Sequence, residues 1–215
     1  MYVSVDRQVP ADAFLSCWNG ASEQTLDAAL ARPARRCIEA GLLDRSAEIY
    51  EGADLSTDKA LSLVITTRSA YRHSVVKTYV QALGERLALT EDLRIRVYSA
   101  VQEALMNAVL HGNLRIDGGL RGSLDGLIAA QAIIEAKLES PEVGSSMIRL
   151  DADWTSSALA ITVRDSGDGY DYSGVRPAAE DGMSGRGLEI LQVFSDRVTV
   201  LNGGTTVRLE FQLCP

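Results

Sequence analysis

Three segments in the second half of the chain alternate strictly between apolar and polar residues, which limits the possible folds more than any other feature of the sequence. The apolar positions are Ile148, Leu150, Ala152 and Trp154, then Leu159, Ile161 and Val163, then Val207, Leu209, Phe211 and Leu213. Successive side chains of a β-strand point to opposite faces, so each segment predicts a strand with one face on a core and the other in solvent. Such strands are typical of antiparallel or mixed sheets.

Two more strands and several helices complete the expected fold. The β-rich run LSLVIT at 61–66 and residues 198–201 predict the strands. The predicted helices cover 71–87, a central helix that Thr90 caps and that ends near Gly112, and 127–139 before Pro141. Sheet and helices together predict an α/β fold, a two-layer sandwich of a mixed, mostly antiparallel sheet covered on one face by helices.

The first sixty residues carry a different pattern. They contain an alanine-rich helical segment, LDAALARPARRCIEAGLL at 26–43, which Pro33 would break or bend because proline lacks the N–H donor. The sequence GADLSTD at 52–58 is rich in turn residues and marks a boundary. We therefore expect an N-terminal extension of unknown role at 1–60 and the main domain at 61–215.

Composition argues against several classes of function. A net charge of -8 disfavours binding to duplex DNA, whereas a mononucleotide needs only a local positive site. The cysteines, Cys17, Cys37 and Cys214, are scattered without the spacing of metal ligands, so neither a disulfide framework nor a zinc site is indicated. No apolar run approaches the roughly 18 residues of a membrane span. We expect a cytoplasmic protein without nucleic-acid or membrane partners.

The central helix carries the strongest functional pattern. Glu103, Asn107 and His111 recur four residues apart within an otherwise apolar helical sequence, and residues at this spacing lie on one side of a helix. We call these three residues the polar seam, and we expect it at the margin of the apolar face, where a ligand could meet it. The alternative is that Glu103 and Asn107 are ordinary surface residues and that His111 interacts with the helix dipole.

Two glycine-containing loops follow the polar seam. The first, DSGDG at 165–169, comes directly after a strand, where Asp165 could accept a hydrogen bond from a ring amino group and the glycines would let the backbone approach a flat ligand. The second, GMSGRG at 182–187, precedes a helical pattern, and N–H groups at a helix start suit phosphate, as does the Arg186 cation. Taken singly, the first is equally a turn and the second a flexible connector.

The order of these motifs resembles the GHKL superfamily of ATPases, which includes gyrase and the histidine kinases and shares the Bergerat ATP-binding fold. EALMNAVLHGN at 103–113 resembles the family's N box, DSGDG its first glycine box and GMSGRGLEIL at 182–191 its second, followed by Gly204-Thr205 before the last strand. The resemblance covers about 61–215 and is strongest to the anti-sigma-factor serine/threonine kinase branch. A helical insertion at about 114–146 and a short lid at 170–181 depart from that branch.

For the polar seam, the resemblance implies that ATP and Mg²⁺ are the cofactors. Asn107 would ligate the Mg²⁺ that bridges the phosphates, an oxygen ligand of the kind that Mg²⁺ prefers. Glu103 would be the general base that takes the proton from an attacking hydroxyl. His111 would cap the helix near the phosphates.

For the two loops, the resemblance implies contacts to adenine and to phosphate. Asp165 would bind the adenine amino group, and Thr205 would assist beside it through a water. The glycines assigned to closing the adenine pocket are Gly167 and Gly169, and the residues assigned to the lid against the phosphates are Gly185, Arg186 and Gly187.

The resemblance further implies a kinase that phosphorylates an antagonist (STAS-type) protein and binds a sigma factor or similar regulator. A homodimer is compatible with it, since the relatives pair. One alternative is a non-catalytic module in which ATP only gates protein binding. The other is the catalytic fragment of a histidine kinase, for which His73 is the candidate phosphoacceptor, although a surface histidine is the simpler interpretation because no acidic residue follows it and the surrounding helix is short.

Overall fold

A seven-stranded mixed sheet forms the centre of the computed structural model, which describes residues 14–45, 58–116, 124–169 and 186–213. The strands are β1 Leu15–Trp18, β2 Arg36–Glu39, β3 Ala60–Thr66, β4 Met147–Trp154, β5 Ala158–Arg164, β6 Arg197–Leu201 and β7 Thr206–Gln212. Their order is β1-β2-β3-β4-β5-β7-β6. Strands β1 to β3 run parallel and all other pairs are antiparallel, which confirms the mixed, mostly antiparallel sheet.

Helices cover the apolar face of this sheet. They are α1 Glu23–Leu30, α2 Thr67–Arg72, α3 Val75–Gly84, α4 Glu91–Asn107, α5 Leu124–Glu139, the single turn α6 Pro141–Gly144 and α7 Arg186–Phe194. A π-helical segment, Ala108–Asn113, continues α4. Side chains of α3, α4 and the sheet share one apolar core, which confirms the two-layer sandwich. In the described part of the chain, no helix is long and apolar enough to cross a membrane.

The alternating segments form β4, β5 and β7 as predicted. Every apolar position named for these strands is buried except Leu213, which is partly buried and falls beyond the end of its strand. The expectation that the polar face lies wholly in solvent is wrong at Arg149, which is 1% exposed. Its strand neighbour Val64 belongs to a second apolar cluster on that face, with Ile38 and Leu42, and Arg149 pairs with Asp151 at 2.8 Å.

The N-terminal residues add strands to the same sheet. Helix α1 ends at Leu30, and Arg36–Glu39 form β2. The helical segment predicted at 26–43, broken or bent at Pro33, is therefore wrong in its second half. Cys37 and Ile38 pair with β3, and this non-local pairing outweighs the local helical pattern. Trp18 and the buried face of α1 belong to the main core.

The other predicted helices need only small corrections. Residues 71–87 form two helices rather than one, because the backbone at His73 is extended and separates α2 from α3. The cap at Thr90 is confirmed, since its hydroxyl accepts a hydrogen bond from the Leu93 N–H at 3.3 Å. Helix α5 begins at Leu124 and ends where predicted, at Glu139.

Candidate functional site

The polar seam meets the start of helix α7. Asn107 donates a hydrogen bond from Nδ2 to Glu103 Oε1 at 3.1 Å, and both side chains are half-buried. A Cβ placed on Gly187 would lie 2.5 Å from Glu103 Oε1 and 3.1 Å from Asn107 Nδ2. Only glycine therefore lets the first turn of α7, with its unpaired N–H groups, come this close to the carboxylate and the amide.

The amide of Asn107 has a fixed orientation. Because an ionised carboxylate only accepts hydrogen bonds, Nδ2 must face Glu103. The carbonyl oxygen Oδ1 therefore points away from Glu103. It is an uncharged oxygen ligand of the kind that a hard divalent cation takes.

His111 departs from the polar seam at the π-helical segment. It is exposed, and its Nδ1 lies 3.1 Å from the Ile116 carbonyl oxygen. In a π-helix the hydrogen bonds run from i to i+5, so Gly112 rather than His111 follows Asn107 on the site face. Of the described residues, Asn107 and Gly112 line the same cavity and His111 does not.

Asp165 follows β5 and faces Gly112. Its Oδ1 accepts a hydrogen bond from the Gly167 N–H at 2.8 Å, and its own N–H donates to the Thr205 carbonyl oxygen at 3.0 Å. Burial raises the pKa of Asp165 to about 6, although the Gly167 N–H and its own N–H oppose that rise. A Cβ on Gly112 would lie 2.5 Å from Asp165 Cγ, and one on Gly167 would lie 2.5 Å from the Gly112 carbonyl oxygen.

Gly169 and Thr205 close the other end of this loop. Gly169 has φ +75, a left-handed conformation that favours glycine, and a Cβ there would collide with the Gly203 carbonyl oxygen. The Thr205 hydroxyl donates to the Asn202 carbonyl oxygen at 3.1 Å, one residue before β7 begins. The structure thus brings the first glycine box and the Gly204-Thr205 turn together.

These residues enclose one concave site with apolar walls and two polar groups. The walls are Ala104, Ala108, Val163 and Val207, the glycines are Gly112, Gly169 and Gly204, and the polar groups are Asn107 and Asp165. Apolar walls with a few convergent polar groups are typical of a small-molecule site. The carboxylate of Asp165 can accept a hydrogen bond from a ring amino group, and the Asn107 end lies under the start of α7.

Comparison with known protein families independently supports nucleotide binding at this site. Residues 128–211 match the family model of the histidine kinase-like ATPase domain. This match supports the GHKL superfamily and an ATP-binding function for the site. It includes Asp165, Gly187 and Thr205, whereas Glu103 and Asn107 precede it. A search of curated proteins finds no match.

Part of the predicted lid lies outside the described residues. Gly185 and the lid at 170–181 lie outside the described residues, as does the side chain of Arg186. Their contacts with phosphate stay predictions. Gly187 is the described residue of the second glycine box that reaches the polar seam.

His73 makes contacts that explain its presence without phosphoryl chemistry. Its Nε2 lies 3.1 Å from the Gly20 carbonyl oxygen and its Nδ1 lies 3.6 Å from Glu23 Oε1. Its ring packs edge-on against Trp18, with 5.4 Å between the ring centroids. With a side chain only 20% exposed, His73 ties the N-terminal residues to the junction of α2 and α3 rather than standing free on the surface.

The sequence patterns do not single out Gly112, which lines the candidate site, or Asn113, which lies behind it. The helical periodicity marks Gly112 only as the end of the central helix and gives no role to Asn113. The available signal was that both belong to the N-box-like segment that also contains Asn107. Asn113 is buried beneath the loop that carries Asp165.

Gly112→Ala is expected to lower ATP affinity about tenfold. The new methyl group would push the Asp165 carboxylate out of place, and overpacking of this kind costs about 1–3 kcal/mol. Isothermal titration calorimetry measures the effect. Gly41→Ala is the matched control, because a Cβ there meets nothing within 4 Å. Equal ATP affinities for both variants would contradict the close approach of Gly112 to a working Asp165.

Proposed function

We propose that the chain is an ATP-dependent serine/threonine kinase of the anti-sigma-factor type. It would phosphorylate an antagonist (STAS-type) protein and bind a sigma factor or a similar regulator. The observation that carries the proposal is the placement of Glu103, a carboxylate held beside Asn107 and directly under the start of α7. A nucleotide-binding module without chemistry has no need for a base at this position.

ATP would lie along the cavity with adenine at Asp165 and the phosphates at Asn107. The adenine amino group would donate to the carboxylate, and the alanine and valine walls would cover the ring faces. The N–H groups at the start of α7 would face the phosphates, the usual anion site of a helix N-terminus. Asp165 and Asn107 line the same cavity, so one nucleotide could meet both groups.

The donor set at Asn107 fits Mg²⁺ held mainly by phosphate and water. Among the described residues there is no group of three or more His, Cys, Asp and Glu side chains that could hold a metal. A single amide oxygen that completes a shell of phosphate and water oxygens is an arrangement that Mg²⁺ accepts. When bound, Mg²⁺ neutralises charge on the phosphates.

Glu103 would act on the protein substrate. A serine or threonine hydroxyl of the antagonist attacks the γ-phosphorus, the bond from phosphorus to the bridging oxygen breaks, and ADP leaves. The hydroxyl proton passes to the Glu103 carboxylate. Positioning and charge stabilisation supply most of the remaining rate enhancement in this type of reaction, and the start of α7 would contribute to both.

Incubation with γ-labelled ATP and Mg²⁺ tests the proposal. The protein is mixed with antagonist-type proteins encoded near it, and the products are separated and analysed by mass spectrometry. We expect acid-stable label on a serine or threonine of one of these proteins. Intact ATP with no phosphoprotein would indicate a non-catalytic, ATP-gated module. Acid-labile label on the chain itself, lost in His73→Gln, would indicate a histidine kinase fragment.

A further inference from the structure

We infer that Asn113 is a positioning residue that holds the loop bearing Asp165 and thereby sets the preference of the site for adenine over guanine. The inference rests on the proposed role of Asp165 in ATP binding. Asn113 is the last residue of the π-helical segment and is 8% exposed. Asn113 is not one of the described residues that line the cavity, so it would act on the site through the loop.

The Asn113 amide joins three separate parts of the chain. Its Oδ1 accepts a hydrogen bond from the Ser166 N–H at 2.8 Å. Its Nδ2 donates to Thr67 Oγ1 at 2.7 Å and to the Met147 carbonyl oxygen at 3.2 Å. The start of α2, the start of β4 and the loop after β5 are therefore fixed to one side chain. Ser166 adds a second link, because its hydroxyl also donates to the Met147 carbonyl oxygen at 2.9 Å.

The partners of Asn113 require an amide. The Thr67 hydroxyl gives its hydrogen to the Ser146 carbonyl oxygen at 2.8 Å, so toward Asn113 it can only accept. The Met147 carbonyl also only accepts, and the Ser166 N–H only donates. An aspartate would place an oxygen against the Met147 carbonyl, and an apolar side chain would leave buried polar groups unpaired. Asparagine supplies both kinds of group at once.

The hydrogen bond from the Ser166 N–H to Asn113 lies directly next to Asp165. Ser166 follows Asp165 in the chain, and Gly112, which faces the Asp165 carboxylate, precedes Asn113. The end of the π-helical segment thus touches the carboxylate with one residue and holds the adjacent backbone with the next. On the other side, the Asp165 N–H is bound to the Thr205 carbonyl oxygen. Loss of the Asn113 contact would free the Ser166 N–H, a backbone anchor of the loop.

Base selectivity depends on this placement. Adenine presents an amino donor where guanine presents a carbonyl acceptor, and an ionised carboxylate can only accept. A site built to bind a substrate N–H rejects an analogue that lacks it, because the polar group of the site is left unpaired. A displaced Asp165 would lose this discrimination even if the phosphates still bound.

The variants Asn113→Ala and Thr67→Val distinguish an effect on the position of Asp165 from an effect on the stability of the protein. Asn113→Ala releases Ser166, whereas Thr67→Val removes the hydroxyl contacts of the same network and keeps the link between Asn113 and Ser166. Dissociation constants for ATP and GTP are measured by calorimetry beside thermal unfolding. We expect both variants to melt lower than the wild type, but only Asn113→Ala to lower the ratio of ATP to GTP affinity, about tenfold for the loss of one such hydrogen bond.

The outcomes distinguish this inference from the proposed function. An unchanged affinity ratio in Asn113→Ala, or an equal fall in Thr67→Val, would overturn the positioning role alone. A wild-type protein that does not bind ATP, or binds GTP as tightly, would overturn the proposed site as well.

Hydrogen exchange of the wild-type protein provides a second test that does not depend on the folding of Asn113→Ala. The Ser166 N–H lies in a loop, yet its bond to a buried side chain should slow its exchange about 100-fold or more relative to an unprotected amide. Exchange of the Ser166 N–H at the unprotected rate would show that Asn113 does not hold the loop, and would overturn the inference.

Discussion

Glu103→Gln is expected to slow phosphoryl transfer to the antagonist protein by about 100- to 10,000-fold, the usual contribution of general acid–base catalysis. Glutamine has the same shape and can still accept the hydrogen bond from Asn107 Nδ2, so the geometry under α7 should be kept. It cannot take up the proton of the attacking hydroxyl. ATP affinity should change little, because Glu103 meets the nucleophile rather than the nucleotide.

Single-turnover transfer of label from ATP measures the rate, and calorimetry measures the affinity. Glu189→Gln is the matched control, since Glu189 is an exposed glutamate in the first turn of α7 and its replacement should leave both quantities unchanged. A wild-type transfer rate in Glu103→Gln would exclude Glu103 as the base. A parallel loss of rate and ATP affinity would instead assign Glu103 to nucleotide binding.

The sheet could be predicted where the sequence pattern is local. Strands β4, β5 and β7 each bury one face, so apolar residues such as Leu150 and Leu209 recur at every second position and predict the strands directly. Strand β2 gave no such signal because it is short and lies in an alanine-rich, helix-like stretch. It is a strand because Cys37 and Ile38 pair with β3, and that contact does not appear in local periodicity.

The motifs of the site could be predicted from the sequence, but not which residues at the end of the central helix face the site. A spacing of four residues selected His111 as the third member of the polar seam, whereas the change to π-helix places Gly112 there instead. Asn113 could not be found from spacing at all. Its partners Thr67, Met147 and Ser166 are 46, 34 and 53 residues away in sequence, so its role depends on tertiary structure.

Asp165→Asn is expected to weaken ATP binding about 10- to 100-fold while stabilising the protein without nucleotide. The loss of affinity follows from removing a charged acceptor, because hydrogen bonds to charged groups contribute about 1.5–3 kcal/mol. Asparagine can still accept the hydrogen bond from the Gly167 N–H through its own oxygen, so the loop should keep its conformation. The gain in stability follows from the pKa of the carboxyl group.

Burial raises the pKa of Asp165 from 3.8 to about 6. Between these two pH values the folded protein binds more protons than the unfolded chain, so the carboxylate makes the protein less stable as pH rises toward 6. Above that pH the cost is fully present. Since the side chain is only partly buried and solvent screens it, we expect Asp165→Asn to recover about 1 kcal/mol at pH 7, or about 2–4 °C in melting temperature.

Thermal unfolding and ATP titration between pH 4.5 and pH 7.5 would test both effects together. The wild type should bind ATP more weakly below about pH 6, where Asp165 takes up a proton, and Asp165→Asn should show no such dependence. Asp168→Asn is the matched control, because Asp168 is an exposed partner of Arg115 and surface pairs contribute little. If Asp165→Asn melted at a lower temperature than the wild type at pH 7, the carboxylate would be a structural support of the loop. If Asp165→Asn bound ATP as tightly as the wild type, the adenine contact would have to come from another group.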